Sequence, residues 1–262
     1  MVSAIGKLAT SVATKFGLCT RKAAMRLASE TGFKLVDEST RLGRNLTPQE
    51  IEGVFKQTLP KHLRPKVLFS PKEAAKCMAK NGVDARMAEQ SILQGYDRGM
   101  LACCVPNGTL KQPILMRPEY QEYSLYAHEL EHALERNNRL KSIFARKILP
   151  LRLRFLKDKN KILEIQKKTF DFQEQVQMAY NPNLSLEKQQ EVINDVVQKF
   201  IGGSRRTKKL CKGISNIEIP AYTTGGKVYA YENPNGILCN DQKVVADIYR
   251  QALNAVKTTK VT

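Results

Sequence analysis

Histidine is scarce in this chain, with three residues in 262, and no Asp or Glu precedes Glu30. There is no run of about twenty apolar residues, so no transmembrane helix is expected. An uninterrupted secretory-type apolar core is missing at the N-terminus, because Gly6-Lys7 breaks the run. The six cysteines, Cys19, Cys77, Cys103, Cys104, Cys211 and Cys239, contain no Cys-x-x-Cys pair, which excludes a zinc ribbon or finger. Glycine-rich phosphate loops, serine-nucleophile motifs and internal repeats are also absent, removing the common nucleotide-binding, serine-hydrolase and solenoid classes. Without a secretion signal, free thiols in a reducing cytoplasm are expected; the even cysteine count leaves a disulfide-bonded extracellular form as the alternative.

Acidic residues are also sparse, 25 against 43 Lys and Arg, for a net charge of +18. The imbalance is local. Between Arg136 and Lys212 there are 19 basic and 7 acidic residues, a surplus of 12. The sequence there looks helical, with Pro150 interrupting the first stretch and Gly202-Gly203 closing the second. Such a surplus attracts an acidic protein, nucleic acid or an anionic membrane; the plainer reading is a solvated, lysine-rich helical hairpin. Nucleic acid is the weaker partner, because the few aromatics have core spacing and no recognition motif accompanies the charge. A second basic stretch, residues 1–45, begins with Lys7, Lys15, Arg21, Lys22 and Arg26 among small and apolar residues. It reads as an amphipathic helix, with an organelle-type transit segment as the alternative.

Two of the three histidines fall in Ala-His-Glu-Leu-Glu-His, residues 127–132. His128 and His132 are four apart, so on a helix they share a face and can bind one Zn2+. Glu129 is placed to take a proton from water that the metal has acidified from a pKa of about 15.7 towards about 7. The pattern points to a zinc-dependent hydrolase. The bland alternative, a surface helix with polar histidines, conflicts with the apolar residues on more than one side: Tyr123, Leu125, Tyr126, Leu130, Ala133 and Leu134. Glu129 and His132 also spell Glu-x-x-His, but a di-iron bundle needs a second copy and none exists. The third histidine, His62, lies in Thr-Leu-Pro-Lys-His-Leu-Arg-Pro and reads as an exposed loop residue.

Upstream, Thr47-Pro48-Gln49-Glu50 and Ser70-Pro71-Lys72-Glu73 each provide an N-cap hydroxyl, a first-turn proline and a third-position glutamate. A further helix is expected over about Asp84–Tyr96, ending near Gly99. Short strands are expected at Lys66–Ser70, Leu101–Val105 and Pro113–Pro118, the last two an antiparallel pair around Asn107-Gly108. Helix, strand, helix, then strands is an α+β arrangement with the sheet covered on one face. A closing amphipathic helix follows Asn240, with Val244, Val245, Ile248 and Leu253 inward.

Pro-Ile-Leu-Met-Arg-Pro-Glu-Tyr-Gln-Glu-Tyr-Ser-Leu-Tyr followed by His-Glu-x-x-His resembles the zincin metallopeptidases over roughly residues 60–140. The resemblance implies a small, twisted, mostly antiparallel sheet whose edge strand lines a substrate cleft and leads directly into the active-site helix. It also implies a peptide or protein substrate, and a catalytic domain over 46–262 with a basic helical insertion at about 140–205. A third ligand must complete the zinc site. The position that supplies a histidine in metzincins is Asn138, so the resemblance narrows to the gluzincin type, with an acidic third ligand. Glu135 shares the helix but lies about 10 Å along it from His128. Glu164, Asp171 and Glu174 sit in a charged stretch that reads as a solvated face. Glu218 stands alone between Ile217 and Ile219, and its Glu-x-x-Ala-Tyr setting looks like the downstream glutamate segment of several zincins; it is the favoured ligand, ahead of Glu135 and Glu164. Pro220 argues against a regular helix there. A phenol near the metal could stabilise an oxyanion by a few kcal/mol; Tyr222 leads Tyr229 and Tyr231 by its closeness to Glu218. The plain alternative is a β-hairpin around Gly225-Gly226. A binding protein with a structural or degenerate zinc helix is the competing function.

Overall fold

A computed structural model describes residues 20–80, 84–97, 99–105, 112–120, 122–135, 205–235 and 241–258, with scattered positions between 176 and 198. Residues 1–19, the Asn107-Gly108 turn, Glu164 and nearly all of the basic 136–204 region lie outside the described residues.

Helix α1, Arg21–Leu42, starts where the Thr20 hydroxyl accepts from Ala23 N, and ends at Gly43, whose φ of 65° is the left-handed conformation that suits glycine. Helix α2, Pro48–Thr58, carries the full reciprocal capping box between Thr47 and Glu50. Arg44 grips the same carboxylate through two nitrogens at 2.9 and 2.7 Å, and with Thr47 holds its pKa down at about 2. Helix α3, Pro71–Ala79, is capped by Ser70, which accepts from Glu73 N. Helix α4, Ala85–Asp97, starts with Asp84 accepting from Met87 N at 2.8 Å. The chain reverses after it at Gly99, φ 86°. Helices α5, Tyr123–Glu135, α6, Arg205–Glu232, and α7, Asp241–Thr258, complete the described residues. His62 lies half-buried in a short 3-10 turn, Lys61–Leu63, rather than in an exposed loop, because Leu63 beside it enters the core.

Strands β1, Val67–Leu68, β2, Ala102–Cys104, and β3, Ile114–Met116, form a sheet in the order β1-β3-β2. The expected β2–β3 pair is antiparallel, with Cys103 opposite Leu115. The β1–β3 pair is parallel, with Val67 opposite Ile114, so the sheet is mixed rather than mostly antiparallel. The intervening α3, α4 and β2 supply the long crossover that a parallel pair requires. Two further expectations change. The strand leading to α5 is the central one, not an edge. The sheet is also covered on both faces: Val67, Ile114 and Met116 join the core of α1, α2 and α5, whereas Leu68 and Leu115 join Ala74 and Ile92 of α3 and α4. An uninterrupted Ile-Leu-Met run suits a strand buried on both sides. The arrangement is broadly α+β and mostly helical.

Helix α6 overturns the doubt raised by Pro220 and replaces the alternative hairpin around Gly225-Gly226. Cys211, Ile214, Glu218, Ala221 and Val228 are buried at intervals of three, four or seven residues, a stripe that follows the helical period. An interior proline costs about 3 kcal/mol, whereas burying each Val or Ile contributes about 1.5–3 kcal/mol, so the stripe outweighs Pro220. The glycines serve close packing instead of a turn. A Cβ on Gly225 would lie 2.9 Å from the Ser124 carbonyl oxygen of α5, and one on Gly32 of α1 would meet Val228 Cγ2 at 2.5 Å and Ala127 Cβ at 3.0 Å. Gly53 in α2 has open space around it.

Gly53→Ala is therefore expected to raise stability by about 0.5–1 kcal/mol through helix propensity. Gly32→Ala should lower it by about 1–3 kcal/mol through overpacking, and Val228→Ala in the same chain should recover part of that loss. Denaturant unfolding of the four proteins checks the sign of each change.

Candidate metal centre

Helix α5 is buried on almost every side, from Tyr123 and Ser124 through Tyr126–Leu134. Tyr123 fixes its start by accepting from Leu46 N at 3.0 Å. At its other end Glu135 accepts from Arg21 Nε and Nη2 at 2.7 and 2.5 Å. Glu135 is thereby tied to α1 as an ion-pair partner and is not brought to the histidines.

His128 and His132, one turn apart on α5, bring their Nε2 atoms to 3.1 Å from each other. Glu218 of α6 enters the same space, its Oε2 lying 3.5 Å from His128 Nε2 and 3.3 Å from His132 Nε2. Each of the three residues is at most 8% exposed. Among the described residues this is the group of His, Cys, Asp and Glu side chains that could hold a metal ion. Two imidazoles from one helix and a carboxylate from another, 86 positions after His132 in sequence, meet because α6 packs closely on α5, at Gly225 against the Ser124 carbonyl.

The surrounding charges explain the electrostatics. Burial alone penalises a charged His128, but hydrogen bonding to Glu218 and the fields of Glu129, Glu218 and Glu131 outweigh it and raise the pKa of the ring. Burial likewise opposes ionisation of Glu218, yet the His132 field and hydrogen bonds from both histidines pull its pKa far below the usual carboxylate range. Three ligand atoms from buried groups converge there, a donor set that could hold a metal ion.

Glu129 is 7% exposed and places Oε1 at 3.9 Å from His128 Nε2, beside the cluster. Tyr222, one turn after Glu218, packs its ring edge-on against His128 with centroids 4.4 Å apart, and stacks on Tyr249 of α7. Tyr231 is not brought to the site: its ring packs at a tilt against Phe33 and its hydroxyl donates to Asp37 at 2.9 Å. Tyr229 is half-buried on the turn before Asn233, whose backbone N–H donates to its carbonyl at 3.0 Å. Cys77, Cys103, Cys104 and Cys211 are not joined in disulfides, and burial pushes the pKa of the Cys211 thiol up to about 12. Cys19 and Cys239 lie outside the described residues.

One residue of the site escapes sequence reasoning. Glu131, between the motif's Leu130 and His132, is fully buried, and neither of its carboxylate oxygens has a hydrogen-bond partner among the described residues. Its Oε2 stands 3.9 Å from His132 Nδ1, and burial pushes its pKa up to about 8. The second variable position of the motif carries no signal of this, since either a core or a solvent-facing residue fits there.

Compared with protein-family models, with curated proteins and with solved structures, the chain matches none. No described helix is long and apolar enough to cross a membrane.

Loss of one ligand should sharply reduce metal affinity in a three-residue site. Elemental analysis of purified variants is expected to find His132→Ala and Glu218→Ala both depleted of bound metal, with Glu135→Ala at the wild-type level. Full occupancy in Glu218→Ala would remove it from the ligand set.

Proposed function

We propose that this protein is a zinc-dependent peptidase in which His128, His132 and Glu218 hold the metal and Glu129 is the general base. The observation that carries the reading is the convergence of two helix-borne histidines and one distant carboxylate on a single buried point. Ligands about 2.0–2.1 Å from a tetrahedral ion lie about 3.3 Å from one another. The three edges here, 3.1, 3.5 and 3.3 Å, bracket that value. Two nitrogens and one carboxylate oxygen are also a donor set that zinc accepts with a coordination position left open. The zincin-like pattern of strand, short loop and His-Glu-x-x-His helix supports the same class, although here the strand is the central one.

Zinc, when bound, acidifies water and polarises a carbonyl oxygen. The remaining work falls to the chain. Glu129, adjoining His128 but outside the ligand set, takes the proton from the attacking water on its carboxylate and passes it to the departing amine. Burial beside the histidines keeps bulk water from that carboxylate, so the proton has a defined route. Tyr222 reaches the site from the turn after Glu218; its phenol is the oxyanion donor in this reading, with its ring braced between His128 and Tyr249. A peptide or protein is the substrate class, and the basic 136–212 stretch would favour an acidic one.

Glu129→Gln is expected to keep wild-type zinc content and lose peptide hydrolysis by at least about 100-fold, the usual scale of general-base catalysis. Undiminished turnover of a quenched-fluorescence peptide library by Glu129→Gln would remove it from the reaction. Chelation offers a second check. With free zinc at about 1,000 times Kd, linkage stabilises the folded state by about 4 kcal/mol, so a chelator should lower the unfolding midpoint of wild type and leave that of His128→Ala unmoved.

A further inference from the structure

We propose that Glu131 is the positioning residue of this centre, its carboxylate accepting the Nδ1 proton of His132 and so fixing Nε2 as the metal-binding atom. The inference deepens the metal-site reading and rests on it.

His132 turns Nε2 towards His128 and Glu218, at 3.1 and 3.3 Å. A neutral imidazole that offers its Nε2 lone pair must carry its proton on Nδ1. That Nδ1 is buried and has no hydrogen-bond partner among the described residues. The Glu131 carboxylate, equally buried and equally without a partner there, lies 3.9 Å away. Two complementary orphans side by side in the interior are each costly alone and satisfied together. The 3.9 Å separation exceeds an N–H···O bond by about 1 Å, and the proposed contact closes it. Arg21, the α1 cation whose field reaches Glu131, does not compete, because it is already held by Glu135 through two nitrogens.

Such a contact selects the tautomer and locks the ring plane. It also explains why a carboxylate is tolerated at a fully buried position of a helix that buries Tyr126, Leu130 and Leu134 as well. As a purely structural residue, Glu131 would be better replaced by a hydrocarbon of similar size.

That contrast supplies the test, made on the full chain with zinc as the probe. Zinc affinity is measured by competition with a chromophoric chelator for wild type, Glu131→Gln and Glu131→Leu. The metal-free forms are also unfolded in denaturant. We expect Glu131→Leu to bind zinc about 10–100-fold more weakly while its metal-free form unfolds at higher denaturant. Glu131→Gln, whose amide oxygen still accepts, should fall between Leu and wild type. Zinc binding by Glu131→Leu within twofold of wild type overturns the proposal. If the Leu variant does not fold, 15N spectra of the imidazoles in the zinc-loaded wild type decide: His132 protonated on Nδ1 supports it, and protonated on Nε2 overturns it. A wild type that takes up no zinc sinks the metal reading and this one together. The ranking is read from affinity alone, so it decides the role of Glu131 whether or not the protein cleaves peptides.

Discussion

Everything distinctive about this protein depends on the crossing of α5 and α6, where a carboxylate is buried against two imidazoles. An isolated ionised carboxylate in an apolar interior is too costly to persist. Glu218 persists because His128 and His132 meet it at 3.5 and 3.3 Å. The two imidazoles in turn would crowd their Nε2 atoms without an anion or a metal between them. The crossing must be close for this to work: Gly225 lacks the Cβ that would meet the Ser124 carbonyl of α5, and Gly32 of α1 leaves room for Val228 and Ala127 beside it. The polar centre and the tight packing are therefore one constraint seen from two sides.

The rest of the fold supports that crossing from both flanks. On one side the core of α1, α2, β1, β3 and α5 holds the histidine helix in place along its length. On the other, Cys211 and Ile214 of α6 pack with Val245, Ile248 and Tyr249 of α7. Tyr222 joins the two sides by touching His128 and Tyr249. Arg250 of α7 adds a polar tie, donating to Thr223 Oγ1 at 2.7 Å, while that hydroxyl donates to the Ile219 carbonyl one turn back. A backbone carbonyl near Pro220 thus gains a side-chain donor where the helix is chemically weakest.

What could be read from the sequence was local chemistry. The Thr47–Glu50 box, the Ser70 cap, the β2–β3 pairing and the shared face of His128 and His132 all follow from contacts within a few residues. Glu218 was legible for a different reason: a single charge among isoleucines has to be accounted for. The failures are all tertiary. Pro220 and Gly225-Gly226 read as helix breakers because their intrinsic cost is visible in sequence, whereas the stripe that outweighs it is visible only once α5 and α1 are in place. Parallel pairing of β1 and β3 depends on two intervening helices, and no turn signal marks it. Glu131 was hidden because adjacent helix positions point in different directions, and its burial comes from α5 being enclosed on nearly all sides.

Val228 has a meaning for how the chain is made. Among the described residues it is the only buried member of the first core that comes from beyond residue 135. As the ribosome releases the chain from its N-terminus, α1, α2, the sheet and α5 can assemble with a single slot left vacant over Gly32. Until α6 follows, that slot, the bare imidazoles and the Glu129 and Glu131 carboxylates face the surroundings together. Closing the intervening loop costs only logarithmically more with its length, so the basic stretch between the two halves can be long with little thermodynamic penalty. What it sets is a delay: the nascent protein carries an accessible pair of histidines for as long as that stretch takes to emerge, and the site is sealed by the last part of the core to arrive.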